Sequence, residues 1–186
     1  MQNISPSCKS KKTYHVATSY EVLSDNKSFL HSLNYHQVNP DFNVINVVSH
    51  CYQKNKTQIA LSLAQSYAKD GYKTLFLEAN FRNPVFHEYF NLDKDNGLSN
   101  WIFEGTSRIV SYEKNLDLLA SGSSMENIPS FLLSKPFKHL ILNLKQMYDK
   151  IVIDTPSLSV NLDALITSDY ACGNIIIDDI NNTSSC

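Results

Sequence analysis

Two lysines and a threonine, Lys54, Lys56 and Thr57, stand between a predicted strand and a predicted helix. The strand is the apolar run Val44 to Val48, and the helix is predicted by apolar side chains that recur at helical spacing until Gly71. The start of a helix carries partial positive charge, so a cation there costs about 0.3–1 kcal/mol, whereas an anion is stabilised. The lysines therefore indicate an anion held by them and by backbone N–H groups. Charge placement alone leaves a second interpretation open, in which both are solvated loop lysines.

The turn before this helix partly matches the phosphate-binding loop, whose pattern is G-x-x-x-x-G-K-[ST] between a strand and a helix. The Lys56-Thr57 pair is present, and a further strand from Thr74 to Leu77 completes a parallel strand–helix–strand unit. The glycines are absent, because Gln53 and Asn55 stand where the loop normally bends through glycine. Forcing a residue with a Cβ into left-handed backbone costs about 1–2 kcal/mol. The motif rule alone therefore rejects the match.

Polar side chains follow two predicted strands. The β-branched run 151–153 predicts a buried parallel strand that ends at Asp154. The strand that ends at Leu77 delivers Glu78 and Asn80 to the carboxyl edge of the sheet, where ligands of open α/β sheets bind. Carboxylate and amide oxygens can coordinate a cation, and a carboxylate can also act as a general base. Taken alone, Asp154 also suits a loop or helix cap, and Glu78 to Asn80 an ordinary loop.

From about Tyr20 to Asp178 the chain resembles the cytoplasmic bacterial tyrosine kinases of capsule and exopolysaccharide loci, which are P-loop proteins related to partition and septum-site ATPases. The resemblance rests on an ordered set of motifs rather than on any single intact one. In chain order these are Ser49 with Lys56-Thr57, Gly71 to Leu75, Glu78 to Pro84, Gly97 to Ser99, Leu116 to Gly122, and Tyr148 to Pro156.

The resemblance implies ATP as phosphoryl donor, Mg²⁺ as cofactor and protein tyrosines as substrates. It implies three sets of site residues. The nucleotide-binding set is Lys54, Asn55, Lys56, Thr57, Gln58 and Arg82. The metal-binding set is Thr57, Glu78, Asn80 and Asp154. The catalytic set is Lys56, Glu78 and Asp154, with Glu78 as the base. Arg82 suits either a phosphate or an acidic neighbour.

Several departures from the family pattern predict impaired activity. Glu78 and Asn80 replace two aspartates, and an asparagine cannot act as a general base. The chain also ends before the last helix, strand and tyrosine-rich tail of the family. Two alternatives to an active kinase follow from this. One is a non-catalytic protein that binds the regulator of polysaccharide chain length, and the other is a decaying remnant.

The fold predicted from these elements is α/β, with a mostly parallel sheet flanked by helices in the three-layer α/β/α arrangement of P-loop NTPases. We predict a mobile arm at residues 1–18, a kinase-like domain at 19–180 that lacks the C-terminal part of the family domain, and a tail at 181–186. The early end predicts that an edge of the sheet and an apolar face are exposed.

The resemblance also implies partners. One is the membrane-embedded polysaccharide co-polymerase, or chain-length regulator, which would recruit a cytoplasmic protein to the inner face of the membrane. Another is a second copy in a ring, through a helix that bears Glu21, Ser24 and Lys27. Ser24 and Lys27 replace arginines, so bidentate pairing with a carboxylate is lost and the sequence does not favour a ring, although an oligomer is compatible with it.

Composition narrows the possible functions. The 186 residues are 42% hydrophobic, which is typical of one globular domain. The net charge of −2 gives no electrostatic reason to expect nucleic acid as a partner. No apolar run approaches the roughly 20 residues that a membrane helix needs.

Overall fold

The computed structural model describes residues 12–18, 42–51, 55–105, 109–159 and 161–179. Within these residues, seven strands form one sheet in the order β1-β7-β2-β6-β3-β5-β4. Every pairing is parallel except that of β4 with β5. The strands are β1 Lys12–Thr18, β2 Val44–Ser49, β3 Thr74–Glu78, β4 Val110–Glu113, β5 Leu116–Leu119, β6 Lys150–Asp154 and β7 Gly173–Asp179.

Helices connect the strands and cover both faces of the sheet. They are α1 Lys56–Lys69, α2 Phe86–Tyr89, α3 Leu98–Glu104, α4 Ile128–Leu132, α5 Lys135–Met147 and α6 Asp163–Ser168. The apolar face of α1, with Ile59 and Leu63, belongs to one hydrophobic core, and the apolar face of α5, with Leu140 and Leu144, belongs to the other. The predicted three-layer α/β/α fold is confirmed.

The order of the central strands places the polar residues at their carboxyl ends side by side. In the parallel register, Val47 of β2 lies beside Asp154 of β6, and Glu78 of β3 lies beside Asp154 on its other side. All six residues of β2 and all five of β3 and of β6 are buried, as expected for strands covered on both faces. The carboxyl ends of β2, β6 and β3 therefore meet at one edge of the sheet.

One prediction about the N-terminal end of the chain was wrong for the residues that the structure describes. Residues 12–18 are not part of a mobile arm, because they form β1 and pair with β7 from Lys12–Gly173 to Thr18–Asp179. As a result β7 is not an edge strand, since β1 covers one side of it and β2 the other. The predicted helix with Glu21, Ser24 and Lys27 lies outside the described residues, as do residues 1–11 and the tail 181–186.

Most of the predicted helix and strand boundaries agree with the structure to within a residue or two. Helix α1 ends before Gly71, whose φ of +93° provides the expected left-handed turn. Helix α2 begins at Phe86, after the motif Glu78 to Pro84. Among the described residues, no helix is both long enough and apolar enough to cross a membrane.

Candidate functional site

The side chains of Lys56, Thr57 and Asp154 meet at the carboxyl edge of the sheet. The Lys56 Nζ forms an ion pair with Asp154 Oδ1, and the Thr57 hydroxyl donates a hydrogen bond to Asp154 Oδ2 over 2.7 Å. The pair is shielded from solvent, because the Lys56 side chain is 8% exposed and that of Asp154 is 0% exposed. Both oxygens of one buried carboxylate are therefore bound by the first two residues of α1.

Backbone hydrogen bonds between two loops bring these residues together. The segment after β6 runs beside the end of β2, where Leu158 N donates to Ser49 O over 2.9 Å and Ser159 N donates to His50 O over 2.8 Å. The Thr155 hydroxyl donates to Val47 O over 2.8 Å. These contacts join the loop that precedes α1 to the loop that follows Asp154.

The backbone at Asn55 resolves one of the conflicts seen in the sequence. Asn55 has φ −100° and ψ 2°, and its carbonyl accepts the first hydrogen bond of α1 from Ile59 N over 3.0 Å. A residue with a Cβ adopts this backbone without left-handed strain. Gln58 is exposed in the first turn of α1. Lys54 and Gln53 lie outside the described residues.

Glu78 is occupied by backbone N–H groups. Its Oε1 accepts from Val85 N over 2.5 Å and from Phe86 N over 2.9 Å, and its Oε2 accepts from Ser121 N over 3.1 Å. Glu78 is fully buried, and this burial raises the pKa of its carboxyl above the usual value. The three amide donors act in the opposite direction, because they stabilise the charged form. Glu78 thus holds the start of α2 to the loop after β5. Its roles as base and metal ligand stay predictions.

The loop that supplies Ser121 is itself fixed by a close backbone contact. Leu98 N donates to Ala120 O and Ser99 N donates to Ser121 O, each over 2.9 Å. A Cβ on Gly97 would lie only 2.4 Å from the backbone nitrogen of Gly122. Both glycines belong to motifs that the sequence showed, but nothing in their spacing revealed that they support Glu78.

Arg82 and Asn80 both contact other groups of the protein. The Arg82 guanidinium donates to Asp163 through Nε over 2.8 Å and through Nη2 over 3.4 Å. Of the two partners expected for Arg82, the acidic neighbour is therefore the one present. Asn80 Oδ1 accepts from Asn83 N over 3.3 Å, which is a turn contact. These contacts do not test the predicted binding of phosphate by Arg82 or of metal by Asn80, which stay predictions.

The groups at Asp154 suit a Mg²⁺–nucleotide complex. They provide a carboxylate, a hydroxyl and an ammonium group, which are the side chains that P-loop proteins use toward the metal and the phosphates. The Ser49 hydroxyl adds a buried polar atom without a hydrogen-bond partner at the start of the same loop. The described residues contain no cluster of three or more His, Cys, Asp or Glu residues that could hold a metal.

Comparison with known proteins identifies the relatives of the chain. The tyrosine-protein kinase YwqD of Bacillus subtilis is 32% identical over 135 residues, which are 70% of this chain and 57% of YwqD. The tyrosine-protein kinase CpsD of Streptococcus pneumoniae serotype 4 is 32% identical over 140 residues, which are 72% of this chain and 61% of CpsD. The relatives of this chain are bacterial tyrosine-protein kinases. The chain spans less than two thirds of the length of each of these two, and no family model matches it.

Two solved structures resemble this chain in fold. The kinase domain of VpsO is 28% identical, with a TM-score of 0.77 over 88% of this chain and 82% of that one. The septum site-determining protein of Pyrococcus horikoshii, solved with Mg-ADP, has a TM-score of 0.57 and 21% identity over 72% of this chain and 56% of that one. The second likeness shows the fold alone. Together they confirm the P-loop NTPase-like fold.

Proposed function

We propose that this chain is a nucleotide-binding domain of the bacterial tyrosine kinase type, which binds ATP with Mg²⁺ and carries phosphoryl transfer to protein tyrosines. The observation that carries the proposal is the convergence of Lys56 and Thr57 on Asp154 at the carboxyl edge of the sheet. The relatives that are named tyrosine-protein kinases support it independently. The proposed location is the cytoplasm, at the membrane when a membrane-embedded chain-length regulator binds the domain.

Each residue of the cluster has a defined task in this proposal. Lys56 binds phosphate oxygens together with the backbone N–H groups at the start of α1. The Thr57 hydroxyl and the Asp154 carboxylate orient the metal, whose chemistry is to neutralise charge that develops on the transferred phosphoryl group. Lys54, Asn55 and Gln58 remain proposed neighbours of the nucleotide, and Glu78 remains the proposed base.

A second candidate function is binding without catalysis. It is favoured by the contacts of Glu78, whose carboxylate would have to leave three backbone N–H donors before it could accept a proton from a tyrosine. Asn80 cannot replace it as a base. In this case the domain keeps nucleotide-dependent contacts with the chain-length regulator and transfers no phosphoryl group.

Titration of a fluorescent ADP analogue with Mg²⁺ tests nucleotide binding. The purified protein should bind, Lys56→Ala should bind at least tenfold more weakly, and the matched control Lys69→Ala, which removes an exposed lysine at the end of the same helix, should bind like the wild type. Absence of binding by the wild type at millimolar nucleotide would reject the proposal.

Incubation with ATP, Mg²⁺ and a tyrosine-containing acceptor peptide then separates the two functions. Phosphotyrosine that disappears in Lys56→Ala supports the kinase, whereas nucleotide binding without phosphotyrosine supports the non-catalytic domain. Co-purification with the cytoplasmic segment of a chain-length regulator, with and without nucleotide, tests the proposed partner.

A further inference from the structure

We propose that the Lys56–Asp154 ion pair is a latch that makes nucleotide binding depend on a divalent cation. In the latched state Asp154 holds the lysine that the phosphates need. A cation that binds Asp154 takes the place of the ammonium group and frees Lys56 for phosphate. This inference rests on the proposed nucleotide site and adds how its two ligands are coupled.

The burial of the pair is the first argument. The two side chains are 8% and 0% exposed, so neither charge is well solvated. Removal of one partner from a buried ion pair leaves the other charge uncompensated, which is strongly unfavourable. Movement of Lys56 to a phosphate is therefore costly unless another positive charge replaces it at Asp154.

The sharing of Asp154 is the second argument. Its Oδ1 is held by Lys56 and its Oδ2 by the Thr57 hydroxyl. If Lys56 left, only one neutral hydroxyl among these contacts would remain, and a nucleotide phosphate would bring further negative charge toward the carboxylate. A divalent cation placed between carboxylate and phosphate removes this repulsion.

The neighbouring carboxylate does not compete for Lys56. Glu78 lies beside Asp154 in the register of β3 and β6, but its oxygens accept from the backbone N–H groups of Val85, Phe86 and Ser121. The ammonium group is consequently held at Asp154 and not shared between two acids. The latch thus depends on one carboxylate, and a single substitution can open it.

The test measures affinity for the fluorescent ADP analogue in Mg²⁺ and in EDTA, for the wild type and for Asp154→Asn. The wild type should bind at least tenfold more weakly in EDTA. Asp154→Asn, which keeps an acceptor for Thr57 but removes the charge, should bind at least tenfold more tightly than the wild type in EDTA and should lose most of its dependence on Mg²⁺. A gain of affinity on loss of a metal ligand is the signature of the latch.

Two matched controls make the result specific. Asp163→Asn removes a buried carboxylate from a different ion pair, and Glu88→Gln removes an exposed one. Both should keep the wild-type dependence on Mg²⁺. Equal affinity of Asp154→Asn and wild type in EDTA would overturn the latch while the wild type still binds Mg²⁺–nucleotide, whereas no binding by the wild type under any condition would overturn the proposed function as well.

A measurement on the wild type decides the question if Asp154→Asn does not fold. The rate of acetylation of each lysine is followed by mass spectrometry without nucleotide. Mg²⁺ alone should increase the rate at Lys56 and leave the rate at the exposed Lys69 unchanged. An unchanged rate at Lys56 at saturating Mg²⁺ would overturn the latch.

Discussion

Glu78 and Asp154 are register partners on the adjacent strands β3 and β6, yet their carboxylates have different kinds of partner. Asp154 is paired with the charge of Lys56, whereas Glu78 accepts hydrogen bonds from three uncharged backbone N–H groups. The two acids therefore differ in what they can release. In the proposed latch a metal replaces the lysine at Asp154, whereas Glu78 would have to lose backbone hydrogen bonds before it could bind another group.

The contributions of Lys56 and Asp154 to the free energy of unfolding are expected to depend on each other. Lys56→Met should lower the free energy of unfolding by about 3–5 kcal/mol, because it leaves a buried carboxylate without its partner. The double variant Lys56→Met/Asp154→Asn should recover most of this loss, since neither charge is then buried. Urea denaturation of the wild type, both single variants and the double variant measures the coupling. Additive losses would show that the two side chains do not interact.

The Glu78 carboxyl is expected to make stability depend on pH in one direction. Because the pKa of Glu78 is raised in the folded state, the folded protein binds this proton more tightly than the unfolded protein does. The contribution of Glu78 to stability is therefore present at low pH. It is lost as the pH rises above 4.5, the ordinary pKa of the group. The difference in free energy of unfolding between wild type and Glu78→Gln should therefore fall as pH rises from 4.5 toward 8. Chemical denaturation of both proteins at several pH values measures this difference. A difference that grows with pH would mean that the three amide donors outweigh burial.

The Arg82–Asp163 pair is expected to stabilise the fold and not to bind nucleotide. Arg82→Ala should cost about 1–2 kcal/mol of stability, which is typical of lost hydrogen bonds to a charged group, and the Arg82 side chain is 43% exposed. Nucleotide affinity should stay within a factor of two of the wild type. A tenfold loss of affinity with unchanged stability would instead restore Arg82 to the phosphate-binding residues.

The contact of Gly97 with Gly122 is expected to be needed for the support of Glu78. Gly97→Ala should destabilise the protein by about 1–3 kcal/mol, because the added Cβ meets backbone that must shift. It should also speed hydrogen exchange at the amide of Ser121, which donates to Glu78. Gly71→Ala is the control, since its cost is backbone strain with nothing within 4 Å of the Cβ. Equal exchange at Ser121 in both variants would contradict the supporting role.

The sequence by itself determined the fold and the members of the central cluster. Helical spacing in α1 and the β-branched run of β6 reflect which side chains must be buried, and this pattern is local along the chain. The parallel direction of the strands followed from the strand–helix–strand pattern. Lys56, Thr57 and Asp154 were grouped by the family resemblance, because the loop lacks the usual glycines and the motif rule alone rejected it.

Only the tertiary structure decided how the remaining polar groups are used. Residues 12–18 became a strand because β7 offered them a partner more than 150 positions later, and no local pattern encodes such a pairing. Glu78 became the acceptor for the amides of Val85, Phe86 and Ser121 because the turn after β3 and the loop after β5 both place N–H groups beside it. Arg82 became the partner of Asp163 because the fold brings together residues that are 81 positions apart. The sequence gives the type of each polar residue. Its hydrogen-bond partner depends on which groups lie within about 3 Å of it in the folded chain.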